Sequence, residues 1–109
     1  MNQTQAHKTI DFAGIEGPVY TGRSRGERLR TEMDLDKLDA AGATVDVRIP
    51  NETYTMSSSF FLGLFGPSVV KAGSKKAFFE RYHFQSPDFL SAILDTYVSR
   101  ALQTRNLFE

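Results

Sequence analysis

Between Ser57 and Ala72 the chain reads SSSFFLGLFGPSVVKA, with Phe60, Phe61, Leu64, Phe65, Val69 and Val70 spread around a helical circumference. A helix that apolar must be buried on most of its sides. The cover has to come from the rest of a chain of 109 residues, which is long enough for one domain with its own core and too short for a separate substrate domain. The start of the helix carries a second constraint. Three consecutive serines close a β-favouring stub, Thr53 to Met56, and open the helix. A serine cap leaves neighbouring N–H groups and the positive end of the helix dipole aimed at one spot, where an anion or phosphate is stabilised.

Around this helix the pattern predicts an α/β domain. From Lys8 to Ala13, Ile10 and Phe12 alternate with polar neighbours, as in a half-buried strand, and residues 1–7 before it are polar and expected to be flexible. Gly14 and Gly17-Pro18 mark a turn into Val19-Tyr20, which would form an antiparallel hairpin with the first strand. Ser24, with Glu27 three residues on, has the form of a capping box opening a helix over about 25–41, stopped by Gly42. Its apolar positions Leu29, Met33, Leu35, Leu38 and Ala41 are only roughly periodic, so a distorted middle is expected. TVDVRIP, residues 44–50, places Val45, Val47 and Ile49 on one face and is the clearest strand. Pro67 is expected to bend or divide the Ser57–Ala72 helix. KAFFERYHF, residues 76–84, reads as an aromatic last strand. Ser86-Pro87-Asp88 then opens a final helix with a wide apolar stripe from Phe89 to Leu102. The expected organisation is a single domain over 8–105 and a short tail at 106–109. The order is ββαβαβα, a mixed four-stranded sheet layered with helices.

Composition removes several functions. The 13 basic and 13 acidic residues cancel, so no global charge draws the chain to nucleic acid or an acidic membrane. Without cysteine there is no disulfide framework or thiolate metal site, and His7 and His83 are too isolated in sequence to read as a zinc set. No run is long enough to span a membrane and MNQTQAHK is not a signal sequence, so a cytoplasmic, metal-free domain without a cofactor is expected.

Taken together, Gly26-Glu27-Arg28, the strand TVDVRIP, Ser57-Ser58-Ser59-Phe60 and Phe65-Gly66 make the chain resemble, over about residues 18–102, the STAS-like family of unknown function. These are small bacterial domains related to anti-sigma-factor antagonists. The resemblance implies a four-stranded mixed sheet with helices around it and no enzymatic activity. It also implies a protein partner of the anti-sigma kinase or ATPase type, switched by phosphorylation of a serine at the start of the second helix. Ser58 stands at that position.

On this reading the candidate partner surface and switch is Ser57, Ser58, Ser59, Phe60 and Phe61. Phosphate on Ser58 would add about −1.5 to −2 charges at a helix start and expel a partner that buries it. Serine caps and phenylalanine clusters serve structure equally well. A different reading is a nucleotide- or phospholigand-binding domain, in which Arg23 and Arg25 of the loop at residues 21–26 converge with the serine element on an anion, Arg28 being a further anion candidate. That loop lacks the lysine and spacing of a P-loop and also fits an ordinary cap. His83 lacks a visible nucleophile and orienting acid and reads as packing or a strand edge. Asp34, Asp36 and Asp39 cannot share one helix face and read as a solvated surface. No Gly-x-Ser-x-Gly elbow supports a serine hydrolase.

Overall fold

The computed structural model describes residues 7–15 and 17–107. Alternation fixes its centre: Val45, Val47 and Ile49 are buried, whereas Thr44, Asp46 and Arg48 between them are half-buried or exposed. Strand β3 (Thr44–Arg48) therefore has one wet face and one dry face. It is flanked by β1 (His7–Asp11) and β5 (Tyr82–Gln85), both parallel to it, with Ile10 opposite Val47 and Val47 opposite Phe84. A second parallel pair joins β2 (Val19–Tyr20) to β4 (Thr55–Met56). Five helices complete the α/β fold: α1 (Arg23–Glu32), α2 (Leu35–Ala40), α3 (Ser58–Ala72), α4 (Lys75–Arg81) and α5 (Asp88–Leu107).

The expected mixed four-stranded sheet is thus replaced by a three-stranded and a two-stranded sheet, each parallel, and the hairpin does not form. Its strands separate because the Asp11 carboxylate accepts the Ala13 N–H at 2.9 Å and closes a 3-10 turn over Phe12–Gly14. The chain leaves β1 sideways, and Tyr20 finds Met56 instead. From β1 to β3 to β5 both crossovers step in the same direction. Parallel crossovers are right-handed, so both carry their helices to the same face. The opposite face, with His7, Thr9, Arg48, His83 and Gln85, stays exposed.

Other boundaries moved for local reasons. The helix expected over 25–41 breaks at Met33–Asp34, where Asp34 takes a left-handed conformation (φ 56°), so the irregular apolar spacing marked a break rather than a bend. Helix α1 begins at Arg23 after Gly22 (φ 92°), and Ser24 lies inside the helix instead of capping it. The aromatic strand is shorter than expected. Ser74 Oγ accepts the Ala77 N–H at 3.1 Å and starts α4, leaving only Tyr82–Gln85 as strand. Phe78 and Tyr82, four residues apart, stack with ring centroids 4.8 Å apart, a helical neighbour relation hidden in a run that looked like β. Helix α3 runs through Pro67 undivided, with the proline on its exposed side. Of the expected termini, His7 already belongs to β1 and Asn106-Leu107 continue α5; residues 1–6 and 108–109 lie outside the described residues.

Helix α3 is the hub of the fold. Phe60, Phe61, Leu64, Phe65 and Val69 are inaccessible to solvent, and the Phe65 ring lies within 5.7 Å of the Phe61, Tyr82 and Phe84 rings. Against α1 the approach is backbone to backbone. A Cβ on Gly63 would strike the Arg23 carbonyl and lie 3.2 Å from the Glu27 nitrogen, and one on Gly26 would strike the Phe60 carbonyl and lie 2.9 Å from the Leu64 nitrogen. Only glycine fits at either side of this crossing.

Candidate functional site

The expected serine cap forms at Ser57. Its backbone is extended (φ −76°, ψ 157°), its Oγ accepts the Phe60 N–H at 3.1 Å, and its own N–H donates to the Tyr20 carbonyl at 2.8 Å. Ser57 therefore both starts α3 and ties it to β2. With the cap taken, Ser58 occupies the first helical position half-buried, and Ser59 is exposed. Phe60 and Phe61 point the other way and are fully buried. Of the five residues read as one surface, the three serines reach solvent and the two phenylalanines belong to the core.

The arginines do not converge. Arg25 packs on the aromatic pair beside the serine element: its guanidinium lies 5.5 Å from the Tyr20 ring centroid and 5.7 Å from that of Phe60, and its Nη1 donates to the Val19 carbonyl at 3.1 Å. Cation–π contact and this hydrogen bond hold it over the aromatic pair. Arg28 shares with Arg25 a shallow cleft that is also lined by Glu32. Arg23 lies at a different cleft, beside Leu62 and Pro67, with Glu27 4.0 Å away.

The strongest polar constellation was not anticipated. Arg30 is buried beneath α1 and donates from Nη1 to the Leu64 carbonyl (2.9 Å) and Ser68 Oγ (2.8 Å), and from Nη2 to Asp36 (2.6 Å) and Asp39 (3.1 Å). Asp39 also accepts from Ser68 Oγ (2.5 Å) and the Tyr82 hydroxyl (2.6 Å), with Arg81 Nη2 at 3.3 Å. Asp39, read as part of a solvated surface, is thus buried, while Asp36 is exposed as expected. Two guanidinium groups face two carboxylates, and the donors and acceptors are matched. Burial, and then the hydrogen bond to Asp39, raise the Tyr82 hydroxyl pKa far above its ordinary value. A phenol so held is a donor and not a base. The cluster binds α1, α2, α3, α4 and β5 together.

On the open face of the sheet the fold brings together two histidines that looked isolated. His7 Nε2 lies 2.8 Å from Asp46 Oδ2 and His83 Nδ1 3.3 Å from Asp46 Oδ1. Asp46 is opposite His83 across β3 and β5. Hydrogen bonding from His7 holds the Asp46 carboxyl below its ordinary pKa. His83 sits at an exposed strand edge, as the sequence suggested. Among the described residues no group of three or more His, Cys, Asp or Glu side chains is placed to hold a metal ion, and no helix is long and apolar enough to cross a membrane.

The chemistry available at the start of α3 is hydrogen bonding by the half-buried Ser58 and the exposed Ser59 hydroxyls. Compared with protein-family models, curated proteins and solved structures, the chain matches none.

Proposed function

We propose that the chain is a non-enzymatic, STAS-like regulatory or adaptor domain that binds a protein partner, of the anti-sigma kinase or ATPase type, at the start of α3. Ser58 is its phosphorylation switch. The observation that carries this reading is the division of labour among the serines. Ser57 holds the cap through its bond to Phe60 N, so Ser58 and Ser59 can change chemically without unmaking the helix. Beside the helix start, Val19 of β2 and Tyr54, just before β4, are 42% and 77% exposed and are available to a partner. The phospholigand reading is weaker: Arg23 stands apart from Arg25 and Arg28, and Glu32 lines the cleft those two share.

A negative charge in the first turn stabilises a helix by about 0.3–1 kcal/mol, so Ser58→Asp is expected to keep or slightly raise the melting temperature. It is also expected to weaken a partner retained from a lysate of the source organism by about tenfold, or 1.4 kcal/mol. Calorimetry with that partner is the measurement. Unchanged affinity with an intact fold would remove the switch, and a melting-temperature rise with a nucleotide or phosphate panel in its place would favour the phospholigand reading.

A further inference from the structure

The side of α3 that reaches the surface at Pro67 and Val70 is apolar as well. Leu62, Gly66 and Val70, each one turn from the next, join Pro67 on the floor of a cleft of about 410 Å³, closed on its sides by Arg23 of α1 and Ala101 of α5. Val70 is 37% exposed, Pro67 is exposed and Leu62 is half-buried. The stripe covers about 12 Å of helix, at 1.5 Å per residue, which matches two turns of a second helix. A groove between helices with apolar positions at this spacing is the form that receives an amphipathic helix.

Charge selects among occupants. The two ionisable residues lining the cleft, Arg23 and Lys71, are both cationic. Arg23 reaches Glu27 only at 4.0 Å, between well-exposed side chains, a contact worth little in water. Lys71 makes no ion pair among the described residues. A second copy of this chain docking through a two-fold axis would bring the same patch to itself and set cation against cation. The geometry points to this cleft as the docking groove for an acidic amphipathic helix, its apolar side chains on Leu62, Gly66 and Val70 and its carboxylates against Arg23 and Lys71. The groove begins at Leu62, one turn beyond Ser58 on the same side of α3, and its occupant is argued from its own lining, not from the Ser58 reading.

The test uses two synthetic helical peptides with leucines four residues apart, one flanked by glutamates and one by lysines. The full chain is titrated with each and followed by amide chemical shifts. The glutamate peptide is expected to bind about tenfold tighter than the lysine peptide, with shifts at Leu62, Val70 and Ala101. Lys71→Glu, at an exposed position, leaves one cation against one anion in the cleft and should remove most of the preference, and Val70→Asp should abolish binding of both. Absent binding, equal affinity for the two peptides, or a preference unmoved by Lys71→Glu would overturn the proposal. Self-association in sedimentation that Val70→Asp abolishes would assign the groove to a second copy instead. Val70-dependent binding to phosphatidylglycerol vesicles without peptide binding would assign it to a lipid surface.

Discussion

Asp39 and Asp46 are both aspartates held between two basic side chains, yet the protein uses them in opposite ways. Asp39 is 2% exposed, between Arg30 and Arg81, with two hydroxyls completing its shell. Asp46 is 39% exposed, between His7 and His83. Each carboxylate has two basic partners; the solvent around them differs. Removing one partner from a buried cluster leaves an uncompensated charge in a poorly solvated place, whereas water replaces a lost partner at the surface. Burial therefore decides which carboxylate is structural.

The comparison breaks most easily at Arg30. Arg30→Ala leaves buried Asp39 with Arg81 as its one remaining cation, at 3.3 Å, and is expected to cost about 3–5 kcal/mol, read from urea denaturation; a loss below about 1 kcal/mol would mean that water or Arg81 compensates Asp39. Tyr82→Phe removes one donor from a charged acceptor and should cost about 1.5–3 kcal/mol. The same variant also tests the pH sign. A phenol whose pKa is raised on folding contributes stability that is present below its ordinary value of 10.0 and lost as pH rises above it, so Tyr82→Phe should flatten the alkaline side of the stability curve. Asp46→Asn should have the smallest effect at neutral pH. Its carboxyl is depressed on folding, so its contribution is present above the ordinary value of 3.8 and lost as pH falls further. The asparagine variant should lose that acid limb in a stability–pH profile, and an unchanged limb would place the coupling elsewhere.

Features carried by neighbouring residues were legible in the sequence. The Ser57 cap, the alternation of β3 and the stripe of α5 each follow from a few adjacent positions, and each appears in the structure. The Asp39 cluster was hidden because its partners lie 9 to 43 residues away, and aspartates on an irregular helix look solvated until the helix breaks. Arg30 carried a faint signal in its place beside Leu29 on a helix with few apolar residues, but nothing local names its acceptors. The hairpin failed for the converse reason. Turn residues showed where the chain reverses, but not that a 3-10 turn would send β2 to a partner 36 residues further on. Lys76 to Arg81 misled because adjacent phenylalanines satisfy strand composition, while the stacking of Phe78 on Tyr82 satisfies helical spacing.

The crossing at Gly26 and Gly63 bears on how the molecule opens. Where side chains interdigitate, two helices can loosen by rotamer changes before they part. Here backbone meets backbone, and there are no rotamers to spend. Helix α1 and the first half of α3 must therefore come apart as one event, and their amide protons near Glu27 and Leu64 should exchange with solvent at a common, slow rate. The serines at the start of α3 would then ride on a joint that opens only as a whole, presenting one fixed geometry to whatever binds them.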